Sequence, residues 1–169
     1  GVPDLPNNPA QRDCVHALYH LTKTLDQSRP VIGNDGWESS TTDIIGIHDY
    51  DGDPQHLRAR YGPEVQPQEL VDRRWTAGRI LTLDGHPHRG QPICLTEFGG
   101  VAFADPHNPQ HQKEWGYVKC DTIEEFTERC LSLIEVARTT ALFSGFCYTQ
   151  FADTFQEANG LLTADRQPK

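Results

Sequence analysis

Pro92-Ile93-Cys94-Leu95-Thr96-Glu97-Phe98-Gly99-Gly100 decides the fold of this 169-residue chain. Three apolar residues follow a proline, run as a short strand and end on one carboxylate, which is followed at once by an aromatic ring and two glycines. In parallel α/β sheets and barrels the chemistry sits where strands run out at their C-terminal ends, and glycines there let the backbone turn close under a ligand. Glu97 is therefore the candidate functional carboxylate; the competing reading is a loop cap or an arginine partner.

Working outward, the same design recurs. Upstream, Ile44-Ile45-Gly46-Ile47 runs as a strand into His48-Asp49-Tyr50-Asp51-Gly52-Asp53, where alternation puts His48 and Tyr50 on one side if the chain stays extended. Further upstream, Val31-Ile32-Gly33 reads as a buried parallel strand emptying into the polar loop Asn34-Asp35-Gly36-Trp37-Glu38. Downstream, Gly145 to Gln150 is the final strand, followed by Asp153, Glu157 and Asn159. Helical spacing predicts an amphipathic helix over 10–26, with Val15, Leu18, Tyr19, Leu21 and Leu25 covering a sheet. A helix-like segment is expected from Gln68 to Ala77, a long loop from Val101 to Lys119, and a helix from the capping-box pattern Thr122-Ile123-Glu124-Glu125 to about Thr140. Four strands alternating with helical connections make a parallel α/β array, which is half of an eight-stranded barrel or an open sheet.

Composition narrows the partners. Hydrophobic residues make up 36% of the chain, enough for one domain with a core over residues 1–169. Lys and Arg number 15 against 24 Asp and Glu, a net charge of −9 with no basic run, so nucleic acid and anionic membrane surfaces are disfavoured. Cys14, Cys94, Cys120, Cys130 and Cys147 form no CxxC pair and read as small buried hydrophobes rather than a disulfide framework. The chain contains no methionine and opens Gly1-Val2-Pro3-Asp4, so an excised fragment is expected.

The combination of Leu95-Thr96-Glu97-Phe98-Gly99-Gly100, the strand ending at Tyr50, and the closing run from Phe151-Ala152-Asp153 through Asn159-Gly160-Leu161-Leu162 to Lys169 resembles the catalytic barrel of family 2 glycoside hydrolases. That family includes β-galactosidases, β-glucuronidases and β-mannosidases. The resemblance implies an α/β fold, the C-terminal half (strands 5–8) of a TIM barrel, and hydrolysis of O-glycosidic bonds with retention. It implies Glu97 as nucleophile at the end of the seventh strand, and Tyr50 as its hydrogen-bonding tyrosine. Retention needs a second carboxyl about 5 Å away as acid/base; the family's Asn-Glu pair is expected just upstream of Gly1, so the fragment alone is expected to be inactive. It also stops at Lys169, where the last barrel helix would start.

The family's β-glucuronidases carry an Asn-x-Lys motif where this chain reads Glu157-Ala158-Asn159, so a neutral sugar is expected, as in a β-galactosidase, rather than a uronic acid. The family's aromatic of the eighth strand falls near Tyr148 or Thr149; if it is Thr149, Trp37 or Trp115 is the candidate platform. His48, Asn34, Gln150, Asp153 and Glu157 are candidate contacts to sugar hydroxyls, with a histidine satisfied within the barrel as the alternative for His48 and bracing of the loop as the alternative for the last two. Asp153, Glu157 and, more weakly, Glu38 are alternative candidates to replace the missing acid; Trp37 reads equally as core packing at the strand end, and Trp75 as core or helix packing.

No cofactor is implied. His86 and His88 flank Pro87, and His107 and His111 are separated from helical spacing by Asn108-Pro109, so a solvated histidine loop is favoured over a zinc site. A non-catalytic carbohydrate-binding module on a decayed barrel is the rival class, and a nucleotide-binding domain lacks its glycine-rich loop. Open barrel edges at the first and last strands predict self-association.

Overall fold

A computed structural model of the protein describes residues 4–75, 78–103 and 114–169. The elements run α1 (Pro9–Leu25), β1 (Ile45–Asp49), α2 (Pro54–Tyr61), α3 (Pro67–Asp72), β2 (Ile93–Gly99), β3 (Val101–Phe103), β4 (Val118–Cys120), α4 (Ile123–Thr139) and β5 (Gly145–Thr149). One sheet has the order β1-β2-β5, and β3 pairs with β4 in parallel, Val101 opposite Val118 and Phe103 opposite Cys120. Helices alternating with these strands make an α/β fold. The chain divides into two compact units, one of residues 1–48, 63–96 and 141–145, the other of 49–62, 97–140 and 146–169.

In the first unit, α1 starts where Asn8 accepts a hydrogen bond from the Gln11 amide and Pro9 sets the first helical turn. Its expected apolar face is only partly used. Val15 is buried with Leu5, Leu83 and Ile80, whereas Leu18, Leu21 and Leu25 are exposed, and so is Cys14. Amphipathic spacing fixes which side chains share a stripe, not whether anything covers it.

The strand expected at Val31–Gly33 is absent. The Val31 amide donates to Asp43 Oδ2 (2.8 Å), the Gly33 amide to Thr42 Oγ1 (3.3 Å), and Val31 O accepts from the Asp43 amide (2.8 Å). Side chains of Thr and Asp offer the backbone an alternative to a ladder, and here they take it. Extended pairing moves instead to Glu38 and Ser39, whose amides donate to Ile80 O and Leu81 O.

The second unit is built on α4. Thr122 accepts from the Glu125 amide (3.1 Å), and Glu125 reaches back to the Asp121 amide (3.1 Å), so the helix starts as the capping-box pattern predicts. Its buried face is Phe126, Cys130, Leu133, Val136 and Ala137. Each large apolar side chain there contributes on the order of 1.5–3 kcal/mol by leaving water. Phe98, Val101, Leu57 and Tyr61 complete the core. The segment expected to be one long loop from Val101 thus holds β3 and β4, and the helix expected over 68–77 is described only as α3, whose turn closes at Arg73. Cys120 and Cys130 are buried as expected; Cys94 is half-buried, and Cys147 is exposed on the edge strand β5. No described helix is long and apolar enough to cross a membrane.

Candidate active site

Glu97 lies near the C-terminal end of β2, and Tyr50 immediately follows β1. The Tyr50 hydroxyl donates to Glu97 Oε2 at 2.7 Å. Two features fix the phenol. The Tyr117 ring stacks on it, centroids 3.8 Å apart and 10° from parallel. Gly100, at φ +62°, passes beneath both rings: a Cβ there would stand 2.5 Å from Tyr117 Cδ2 and 2.8 Å from Tyr50 Cδ1. This is the close approach that the Gly99-Gly100 pair provides. Burial first, and then the Glu97 carboxylate, hold the Tyr50 phenol well above the ordinary tyrosine range, so it stays protonated and able to donate. Tyr117 is pushed up as well, by burial and then by Glu157 and Glu97.

The loop after β5 forms a second polar group in the same unit. Gln150 Nε2 donates to Asn159 Oδ1 (2.8 Å), and Asn159, fully buried, donates to Glu157 Oε1 (3.1 Å). Trp115 runs beside this loop, bridged to Glu157, with its ring exposed and edge-on to Tyr117 at 5.9 Å. Asp153 faces its own loop: Oδ1 accepts from the Gly160 amide (2.8 Å) and pairs with Lys169 Nζ (2.8 Å). Tyr148 is turned toward α4, where its hydroxyl meets Cys130 Sγ at 3.0 Å beneath Phe98 and Gly99. Strand alternation then leaves Thr149 on the other face, so Tyr148 is not an available sugar platform. The Thr149–Gln150 peptide is cis.

The first unit holds the remaining candidates. His48 Nε2 lies 3.2 Å from Asp35 Oδ2, and Thr96 Oγ1 donates to Asp35 Oδ1 at 2.7 Å. Gly36, at φ +87°, packs on the imidazole, where a Cβ would stand 2.6 Å from the ring. Trp37 meets His48 edge-on at 6.1 Å and is itself backed by Trp75 at 6.1 Å. Burial would raise the Asp35 carboxyl, but His48, Thr96 and the Gly36 amide outweigh it and hold Asp35 below the usual carboxylate range. The carboxylate is therefore ionised at neutral pH and partly open to solvent, with a side-chain exposure of 39%. Asn34 is buried and closes its own turn, donating from Nδ2 to Trp37 O (2.9 Å). Glu38 is buried at φ +57° and pairs with Arg79 at 3.1 Å, while its Oε2 has no hydrogen-bond partner. Of the histidines weighed as metal ligands, His86 packs edge-on to His16 and His88 bonds Gln91 O (2.8 Å); His107 and His111 lie outside the described residues.

Asp35 and Tyr117 were not singled out from the sequence. Asn-Asp-Gly reads as a turn, although an acid before a left-handed glycine in a strand-end loop is the signal that marks it. Tyr117 lies in a stretch whose strand is only three residues long.

An α/β chain with a carboxylate at a strand end, held by a tyrosine from the end of the neighbouring strand, has the architecture of barrel enzymes whose sites open at the C-terminal face of the sheet. The chain belongs to family 2 of the glycosyl hydrolases: the model of that family's TIM barrel domain matches residues 4–169. Solved structures agree in fold. A GH2 β-galacturonidase from Eisenbergiella tayi bound to glycerol superposes with a TM-score of 0.61 at 17% identity, covering 97% of this chain and 29% of its own. The Bifidobacterium dentium β-glucuronidase in complex with coumarin-3-O-glucuronide gives 0.61 at 22% identity, covering 100% and 28%. The Faecalibacterium prausnitzii β-glucuronidase gives 0.56 at 26%, covering 99% and 28%. The chain thus spans less than a third of the length of these relatives. The comparison with curated proteins gave no match.

Proposed function

We propose that the chain supplies the nucleophile of a retaining β-glycosidase acting on neutral sugars, in the manner of a β-galactosidase. The observation that carries this reading is the 2.7 Å hydrogen bond from Tyr50 to Glu97 at the strand ends. Glu97 attacks the anomeric carbon and Tyr50, through its hydrogen bond, orients the attacking carboxylate. In this reading residues 1–169 form one piece of a catalytic barrel domain, strands five to eight, and the acid/base carboxyl comes from outside these residues. The continuous family match and the order of the Tyr50, Glu97 and strand-eight motifs support that placement.

A neutral substrate is supported by the charges around the site. Lys169, beside the strand-eight loop, directs its ammonium at Asp153 Oδ1, Phe103 O (3.0 Å) and Ala158 O (2.7 Å), a full set for three N–H donors. No donor of that lysine is left for a uronate. Gln150 and Glu157 are the candidate hydroxyl contacts, and the exposed Trp115 is the candidate stacking ring.

Self-association is also part of the reading. Phe146 on the β5 edge and the Leu18, Leu21 and Leu25 stripe of α1 are exposed apolar surface of the kind that another protein surface covers.

The test is the stereochemistry of turnover by a form extended on its N-terminal side through four further barrel strands. Proton NMR of the first product from aryl β-galactoside, β-glucoside, β-mannoside and β-glucuronide should show the β-anomer, and only from the neutral sugars. An α-anomer as first product, or turnover confined to the uronide, would sink the proposal.

A further inference from the structure

The Asp49-Tyr50-Asp51 segment is closed by a single guanidinium. Arg60, in α2, bonds Asp49 Oδ2 through one terminal nitrogen and Asp51 Oδ2 through the other (2.8 Å). The two carboxylates flank Tyr50 in sequence, so one rigid planar fork ties down the backbone on both sides of the residue that holds Glu97. The rest of the cluster reinforces the arrangement. Tyr61 donates to Asp49 Oδ2 (2.6 Å) from a fully buried position. The Asp51 amide donates to Asp49 Oδ1 (3.1 Å) and the Asp53 amide to Asp51 Oδ1 (3.0 Å), two successive side-chain turns that curl the chain around Tyr50 and lead into α2. His56 Nδ1 adds a contact to Asp51 Oδ2 at 3.0 Å.

A surface ion pair of this size would carry little weight. Here Asp49 is buried, three donors converge on it, and the guanidinium is itself half-buried between the two acids. Burial would lower the Arg60 guanidinium, but Asp49 and then Asp51 outweigh it and push it higher still. Burial likewise opposes the Asp51 carboxylate, yet the Asp53 amide, Arg60 and His56 hold it below the usual range. Arg60 and Asp51 are thus held in their charged forms, so their pairing acts as a fixed brace and not as a switch. Arginine suits the site because its planar fork gives each carboxylate its own terminal nitrogen at a fixed spacing, whereas a lysine ammonium is a single point charge.

We propose that Arg60 is a positioning residue for Glu97, acting through Tyr50: its fork on Asp49 and Asp51 sets where the phenol sits and so maintains the phenol–carboxylate hydrogen bond. This inference rests on the reading of Glu97 as the nucleophile. It assigns a function in catalysis to a helix residue whose guanidinium bonds go to Asp49 and Asp51.

The sign of one measurement separates positioning from charge. Glu97, Tyr117 and Thr149 face the Tyr50 phenol, and burial with the Glu97 bond keeps it protonated above the ordinary range. Removing a nearby cation should, by Coulomb's law alone, raise the phenol further. Releasing the phenol from its seat should lower it toward the ordinary value of about 10. The experiment is a ¹³Cζ-tyrosine NMR titration of the 169-residue chain, with the Tyr50 signal assigned from Tyr50→Phe, in the native protein and in Arg60→Gln, Glu97→Gln and the double variant.

In the native chain the Tyr50 signal should stay at its protonated position through about pH 11, a unit past the ordinary value. In Arg60→Gln it should move downward by about one unit, and in the Glu97→Gln background the same substitution should move it less, since the part that runs through the Glu97 bond is already gone. Arg60→Lys keeps the charge and serves if Arg60→Gln does not fold; it should give a shift of the same sign and smaller size. An unchanged or upward shift in the arginine variants, or a shift as large in the Glu97→Gln background as in the native one, would overturn the proposal. The titration involves no substrate, so its failure counts against the brace alone, whereas failure of Glu97 to take up a sugar counts against the functional reading.

Discussion

Replacing Gly100 by alanine should separate the Tyr50 phenol from Glu97 without altering either side chain. Two costs add. A non-glycine residue held at φ +62° pays roughly 1–2 kcal/mol for the left-handed conformation. The new methyl would also stand 2.5 Å from Tyr117 and 2.8 Å from Tyr50, closer than real Cβ contacts allow, and overpacking of this kind costs about 1–3 kcal/mol. Gly85 provides the control, since it sits at φ +82° with nothing within 4 Å of an added Cβ. Gly85→Ala should therefore lose only the backbone part, roughly 1–2 kcal/mol, and Gly100→Ala a further 1–3 kcal/mol. Urea unfolding measures both. The stacked rings must also part to admit the methyl, so Glu97 should be trapped by an activated 2-fluoro-glycoside about 10- to 100-fold more slowly, the equivalent of one hydrogen bond to a charged group. Equal destabilisation by the two alanines, or an unchanged trapping rate in a folded Gly100→Ala, would refute the claim that Gly100 seats the ring pair.

Other perturbations test other parts of the account. Tyr61→Phe removes a 2.6 Å bond to a buried carboxylate and should cost about 1.5–3 kcal/mol in urea unfolding, with trapping slowed as Asp49 loosens. Lys169→Met leaves the mostly buried Asp153 without its cation and should destabilise by about 3 kcal/mol, while sugar preference stays with neutral substrates in a competition assay. Asp35 has a folded pKa below its unfolded one, so its contribution to stability is complete above the unfolded value of about 3.9 and is lost as pH falls through the folded value. Asp35→Asn should accordingly flatten the acid limb of a stability-against-pH curve below about pH 4. Leu21→Lys on the exposed α1 stripe should change stability by less than about 0.5 kcal/mol yet lower self-association measured by sedimentation.

The Tyr50–Glu97 pair of the candidate site is legible in the sequence. Glu97 was marked by an apolar strand that stops on one carboxylate before two glycines, and Tyr50 by a second strand of the same design. Strand alternation and strand-end chemistry are local rules, and they hold where the elements are short and buried. The α4 cap was equally local, since Thr122 and Glu125 carry it alone. Longer-range choices were not readable. Nothing in Val31-Ile32-Gly33 reveals that Thr42 and Asp43, a dozen residues on, will satisfy its backbone and displace a ladder. Both α1 and α4 carry an apolar stripe at helical spacing, yet α4 is covered along its length and α1 buries only Val15, because coverage depends on partners rather than on period. Arg60 was invisible for a related reason: a charged residue on a short helix reads as a solvated face, and only the fold shows its fork closing on Asp49 and Asp51. Asp153 and Glu157 illustrate a third limit, since acids in a strand-end loop look alike until Lys169 and the Gly160 amide are seen to bind one of them, and Asn159 the other.

The central claim, that Glu97 is the nucleophile of a neutral-sugar β-glycosidase, is tested most directly by mechanism-based trapping. The 169-residue chain and its N-terminally extended form would be incubated with activated 2-fluoro-galactosyl, glucosyl, mannosyl and glucuronyl reagents, and the protein and its peptides weighed by mass spectrometry. A good leaving group reduces dependence on the acid/base, so the covalent intermediate accumulates on the nucleophile. The account predicts a neutral-sugar adduct on Glu97 in the extended form, abolished by Glu97→Gln and slowed by Tyr50→Phe. An adduct on any other carboxylate, labelling by the glucuronyl reagent alone, or no adduct on a well-folded extended protein would contradict it.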